Sequence, residues 1–211
     1  MKKDKKFISI YNIPFIIGFF ILFIGLTIIP SDGTGPSMYP TFNEEHTDTG
    51  IKTNKLIKIN RYDIIDTKKL SYAGNERIQK RVIGLPGETI TIKGNNIYIN
   101  GKEFNDPAAF INKETKMTPS ENINIYLNDV KLNIGEEVYL KNIASIQDDG
   151  QNNIYLTSEK TWTLGDDEYF VMGDNRCMSN DSREFGPIKK SDIRCKTLFM
   201  INFPEQYELS K

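Results

Sequence analysis

Thr89-Ile90-Thr91-Ile92-Lys93-Gly94-Asn95-Asn96-Ile97-Tyr98-Ile99-Asn100 alternates branched apolar and polar side chains on either side of Gly94-Asn95-Asn96. A period of two sends successive side chains to opposite faces of a strand, and Gly and Asn tolerate tight-turn backbone angles, so the stretch predicts a β-hairpin. The same signal continues outward. Leu56 to Asn60, Asp63 to Asp66 and Ile78 to Ile83 read as short strands before it; Glu168 to Met172, stopping at Gly173-Asp174-Asn175, and Leu198 to Phe203 read as strands after it. The expected fold class is therefore mainly β. From about Asn105 to Gln151 the alternation loosens, with Pro107, Pro119 and many Asn and Lys residues, and Glu136 to Ile146 reads as a helical run. Residues 105–151 are expected to form a small inserted lobe. Asp148 to Asn153 reads as a solvated turn, since it lacks the alternating ligands and terminal Glu of a calcium loop.

Phe7 to Ile29 carries no charge and is dominated by Ile, Phe and Leu. As a helix it would be ~35 Å long, enough for a hydrocarbon core of ~30 Å, and Pro14, Gly18 and Gly25 are tolerated in membrane helices. Lys2, Lys3, Lys5 and Lys6, opposed only by Asp4, place the start of the chain on the cytoplasmic side. The expectation is a cytoplasmic segment 1–6, a transmembrane helix 7–29 that anchors the chain in the lipid bilayer of the cell membrane, and an extracytoplasmic domain 30–211. A cleaved secretory signal fits less well: the run is longer than the usual ~7–15 residues, and Ile28-Ile29-Pro30-Ser31 lacks a small-x-small site. Apart from the lysine-rich start, acidic groups outnumber basic ones, which excludes a nucleic-acid footprint. Cys177 and Cys195 are too few for a disulfide scaffold; a single pairing between them in an oxidising compartment stays open beside the slightly favoured reading of two free thiols.

Eight residues beyond the apolar run stands Ser37, within Gly35-Pro36-Ser37-Met38-Tyr39-Pro40-Thr41-Phe42. A chain extends at most ~3.5 Å per residue, so Ser37 lies within ~28 Å of the end of that run. A nucleophilic serine needs a base. The single histidine, His46, sits in the polar segment Asn43 to Asp48, which reads as a loop, and there is no Gly-x-Ser-x-Gly elbow. One histidine and two separated cysteines do not make the usual zinc constellation either. A lysine remains. Lys80, in Gln79-Lys80-Arg81-Val82-Ile83-Gly84-Leu85-Pro86-Gly87-Glu88, lies within an apolar strand, where burial disfavours the ammonium form.

With these residues the chain resembles the bacterial type I signal peptidases, membrane-anchored Ser-Lys endopeptidases. Four blocks carry the resemblance: Ser37-Met38-Tyr39-Pro40-Thr41; Arg61-Tyr62-Asp63-Ile64-Ile65; Lys80 to Glu88; and Gly173-Asp174-Asn175-Arg176-Cys177-Met178-Ser179-Asn180-Asp181-Ser182-Arg183, followed by Phe185-Gly186-Pro187. Tyr62 stands where the family usually has glycine, and Glu88 where it has aspartate. The resemblance implies a twisted antiparallel β-sheet, β-barrel-like catalytic domain behind one N-terminal transmembrane helix. It implies Ser37 as nucleophile and Lys80 as the base that takes its proton, Ser179 as the hydroxyl that orients the Lys80 amine, and Asp181 and Arg183 as a supporting ion pair. Lowering a lysine from near ~10.4 to ~8 disfavours its charged form by roughly 3 kcal/mol, which burial can supply.

The implied partners are signal peptides of exported preproteins, cleaved after small residues of Ala-x-Ala type, and no cofactor, metal or nucleic acid is implied. Met38, Phe42 and Ile78 are the expected substrate-pocket residues. The Ser37 N–H is one oxyanion donor, but Gly35 has no hydroxyl where some relatives have a serine, so a backbone group, a water or another side chain must serve as the second. A penicillin-interacting Ser-x-x-Lys enzyme is disfavoured because Met38-Tyr39-Pro40 follows Ser37. A membrane-anchored, non-catalytic binding or surface-assembly module is the competing reading, and the presence of both Ser37 and Lys80 weighs against it.

Overall fold

The structure is a computed structural model that describes residues 13–42, 45–52, 57–110 and 116–202. It opens on helix α1 (Ile13–Thr27), whose 15 residues rise about 22 Å, short of a hydrocarbon core of about 30 Å. Among the described residues no helix is long and apolar enough to cross a membrane. The expected cytoplasmic segment 1–6 and residues 7–12 of the expected span lie outside the described residues. The helix also ends earlier than expected, because Ile28 and Ile29 already belong to strand β1 (Ile28–Thr34) and pair with Ile51 and Gly50 of β2 (Glu45–Lys52). Pro30 disfavours helical angles at Ile29, and the β2 ladder supplies the partners that a longer helix would have provided. His46, expected in a loop, lies inside β2 opposite Gly33.

Strands β3 (Ile64–Thr67) and β4 (Gln79–Gly84) are antiparallel neighbours, as are β5 (Thr89–Lys93) and β6 (Asn96–Ile99) of the expected hairpin, with β7 (Lys102–Phe104) beside β6. Leu56 lies outside the described residues, and the rest of its expected strand, residues 57–60, is irregular. Asn60 and Asp63 close a turn there instead. The Asn60 N–H donates to Asp63 Oδ2 at 2.7 Å and the Asp63 N–H to the Asn60 carbonyl at 3.2 Å, an Asx-type contact that competes with strand pairing.

Residues 116–157 hold β8 (Lys116–Met117), β9 (Asn124–Leu127), β10 (Val130–Lys131), β11 (Val138–Tyr139), β12 (Ser145–Asp148) and β13 (Asn153–Thr157). Four of these form a sheet in the order β10-β9-β13-β12 over a core of Ile125, Val138, Ile143 and Leu156. The helix expected at Glu136 to Ile146 is absent: β11 pairs with β8, and a single 3-10 turn, Leu140–Asn142, leads toward β12. Val138 and Ile143 both enter the core, whereas an α-helix would set residues five apart about 140° from each other.

The chain returns through β14 (Glu159–Thr163), which pairs with β5, and then β15 (Glu168–Met172), α2 (Ser182–Phe185), β16 (Ile188–Lys189) and β17 (Ile193–Asn202). The main sheet runs β1-β2-β17-β3-β4-β15-β16, antiparallel throughout. Two strands, β2 and β17, lie between β1 and β3, a separation of about 14 Å across a flat sheet. Yet Ser31 Oγ of β1 donates to Asp66 Oδ2 of β3 at 2.9 Å, so the sheet is coiled into a half-barrel. Irregularities in the β17 and β15 ladders supply local bends. Alternation along β15 sorts its residues between two cores: Tyr169 and Val171 pack with Val82 and Ile65, and Phe170 and Met172 with Ile83 and Ile90. That double burial explains the unbroken apolar run in β15.

Candidate active site

Ser37 lies in a 3-10 turn, Pro36–Met38, entered through Gly35 at φ 99 and ψ 162, a region that essentially only glycine occupies. The turn is pinned from β15's end: the Asn175 N–H donates to the Ser37 carbonyl at 3.1 Å. Gly173 passes so close that a Cβ there would run into the Ser37 carbonyl and the Ser179 hydroxyl. A side chain at 173 would displace the Ser37 turn.

Lys80 projects from β4 and is only 4% exposed. Its amine donates to Ser37 Oγ at 2.8 Å and to the Gln79 carbonyl at 3.1 Å. Its pKa is pushed down to about 8, chiefly by burial; the Asp181 carboxylate opposes the shift, Arg183 reinforces it, and Asp174 opposes it. Arg81, the neighbouring cation on the strand, is turned away into a bidentate pair with Asp174.

Ser179, Asp181 and Arg183 meet beneath this pair. The fully buried Asp181 accepts hydrogen bonds from the Gly173 N–H at 3.0 Å, Ser179 Oγ at 2.7 Å and Arg183 Nε at 2.9 Å. Burial alone would raise its pKa; Arg183, the Gly173 N–H and the Ser179 hydroxyl more than offset that and hold the carboxyl below its usual range. Arg183 also donates to the Arg176 carbonyl at 2.8 Å, which fixes the loop before α2. The Ser179 hydroxyl, expected on the Lys80 amine, is given to Asp181 instead.

A second network was not anticipated from the sequence. Arg81 Nε and Nη2 reach Asp174 Oδ1 and Oδ2 at 2.7 and 2.6 Å, Thr41 Oγ1 donates to Asp174 Oδ2 at 2.5 Å, and Arg81 Nη1 donates to the Tyr62 carbonyl at 3.0 Å. This clamp ties the Ser37 loop to β4 and β15. Its members stand inside the quoted blocks, but no spacing says which of them pair. Tyr62, in the position where glycine is usual, has φ 71, which accounts for that usual glycine; its ring stacks on Phe104 at 5.8 Å. Glu88 bridges Arg61 at 2.6 Å and accepts the Leu85 N–H at 2.8 Å.

Beside Ser37 and Lys80 opens a cavity of about 560 Å³. Met38 and Ile78 line it, with Asp66, Gln79 and Phe185. Phe42 does not: it is fully buried with Met38 and Ile64 in a separate apolar cluster. Cys177 and Cys195 are both free thiols.

The chain is similar to curated relatives over most of their length. Signal peptidase I of Streptococcus pneumoniae is 28% identical over 79% of this chain and 78% of that protein. Signal peptidase I V of Bacillus subtilis is 33% identical over 75% of this chain and 77% of its own length, and signal peptidase IB of Staphylococcus aureus is 30% identical over 92% and 90%. Residues 6–202 match the family described as signal peptidase, peptidase S26. Both by that match and by its relatives, the chain belongs to the signal peptidase family, peptidase S26.

Proposed function

We propose that this chain removes signal peptides from exported preproteins, with Ser37 as nucleophile and Lys80 as general base. The observation that carries the reading is the 2.8 Å contact between a buried lysine amine and a serine hydroxyl at the edge of an open cavity. The neutral amine, the major form above about pH 8, takes the Ser37 proton as Oγ attacks the scissile carbonyl. The resulting ammonium protonates the leaving amine, and the neutral lysine then activates water to release the acyl group. As an early residue of a helical turn, Ser37 keeps its backbone N–H outside the intrahelical ladder, available to the oxyanion. Ser179, Asp181 and Arg183 act as positioning residues: they hold Gly173, and through it the Ser37 turn, rather than touching the substrate.

The apolar run 7–29, of which α1 is the described part, is proposed as the membrane anchor, with residues 1–6 cytoplasmic, 30–211 extracytoplasmic and 105–151 an insertion. That placement brings Ser37 to the surface where signal peptides emerge. Ser37→Ala and Lys80→Ala are each expected to abolish processing of a preprotein with an Ala-x-Ala site, read by mass spectrometry of the products, while circular dichroism stays unchanged. Undiminished cleavage by either variant ends the Ser-Lys reading.

A further inference from the structure

Residues 105–110, at the start of the loosely patterned region, pack against the loop 173–176 that pins the Ser37 turn. Asp106-Pro107-Ala108-Ala109 closes a β-turn: the Ala109 N–H donates to the Asp106 carbonyl at 3.2 Å and the Ala108 N–H to Asp106 Oδ1 at 3.0 Å. The other carboxylate oxygen, Oδ2, accepts from Arg176 Nη2. The two side chains are 3% and 6% exposed, so removing either leaves a buried charge uncompensated. Arg176 Nε in turn donates to the Gly173 carbonyl at 3.0 Å.

The turn delivers Phe110 to the same loop. The Phe110 N–H donates to the Asp174 carbonyl at 2.7 Å, and the Phe110 carbonyl accepts the Arg176 N–H at 3.0 Å. Its ring meets Tyr39, two residues past Ser37, edge to face at 5.2 Å. The Asp174 carbonyl and the Asn175 N–H belong to one planar peptide unit. Phe110 holds the carbonyl end of that plane, and the N–H end holds the Ser37 carbonyl at 3.1 Å. A tilt of the plane moves Ser37. The Asn175 side-chain oxygen does not steady it, since Oδ1 is buried and, among the described residues, without a partner. The orientation of the plane therefore rests on main-chain bonds, and Phe110 makes two of them.

We propose that Asp106 is a positioning residue: through Arg176 and Phe110 it sets the Asp174–Asn175 peptide, and with it the approach of Ser37 Oγ to the Lys80 amine. The inference deepens the Ser-Lys reading and rests on it. Asp106→Ala and Asp106→Asn test it by kcat and KM on a preprotein with an Ala-x-Ala site, at a temperature where circular dichroism shows each variant folded. Asp106→Ala is expected to lower kcat about 10- to 100-fold, with KM within about twofold of wild type. Asp106→Asn, with one side-chain acceptor oxygen for two donors, is expected to fall between. Arg176→Met breaks the same bond, so the double variant Asp106→Ala/Arg176→Met is expected to lose little more than either single one. Leu156→Ala, in the separate core under β9 and β13, is the comparison: it lowers the urea midpoint and leaves kcat unchanged. Native-state amide exchange at Asn175 reads the link without substrate, and Asp106→Ala is expected to speed it about tenfold while the β4 amides stay protected. Should Asp106→Ala not fold, Asp106→Asn carries both readouts with the same signs. A kcat within about threefold of wild type, a loss matched by Leu156→Ala, additive losses in the double variant, or unchanged exchange at Asn175 overturns the role of Asp106. A wild-type protein that cleaves no preprotein overturns the peptidase reading instead, and the exchange at Asn175 then still decides whether Asp106 sets that peptide.

Discussion

Lys80 is costly to the fold in the form that dominates at neutral pH. Its folded pKa, about 8, lies below the reference 10.5, with burial the largest cause. The sign follows from proton counting: between those values the unfolded chain holds a proton that the folded one has released, so stability rises with pH across that window and is constant below it. The gap corresponds to about 3 kcal/mol. Lys80→Met is therefore expected to be inactive yet more stable than the wild-type protein at pH 7, with the gain shrinking as urea unfolding is repeated toward pH 10.5. An equal or lower stability at pH 7 would mean that the bonds to Ser37 and Gln79 outweigh the burial of charge. Which side chains would meet at this site was only partly legible. Ser37 and Lys80 stood out through the absence of a usable histidine, but the partner of Ser179 and the full burial of Phe42 follow from contacts between segments far apart in the chain.

At the level of elements, the strands that a period of two marks clearly formed where expected. The β5–β6 hairpin and β15 are both half or fully buried, so their pattern was selected by the faces they pack against. The stretches that failed, residues 57–60 and 136–146, are governed by turn contacts and by a small core rather than by alternation. The joint between the Ser37 loop, β4 and β15 is the Arg81–Asp174–Thr41 clamp. Because Asp174 is fully buried and Arg81 nearly so, removing one partner leaves an uncompensated charge. Asp174→Ala is expected to cost about 3 kcal/mol in urea unfolding. Glu159→Ala, which breaks the half-exposed pair with Lys93, is expected to cost less than about 1 kcal/mol. Similar losses for the two variants would show that the clamp does not hold the fold together.

Across the whole molecule, residues 116–157 have their own sheet and a core of Ile125, Val138, Ile143 and Leu156, and a polar contact links them to α2, the Ile146 N–H of β12 donating to Glu184 Oε1 at 2.8 Å. Burial raises the Glu184 pKa, opposed by that N–H and by Arg183. Glu184→Ala is expected to speed amide exchange at Ile146 several-fold while the amides of β4 and β15 stay protected; equal protection in both proteins would show that β12 does not depend on this contact. The sequence by itself determined the strand-rich class and the family blocks and singled out Ser37 and Lys80 as the candidate nucleophile and base, because those signals are local: alternation, turn residues and short motifs. Tertiary structure alone decided how far the half-barrel closes and which carboxylate clamps Arg81. These depend on pairings such as Ser31 with Asp66 and Arg81 with Asp174, 35 and 93 residues apart, and contacts at that range leave no period in the chain.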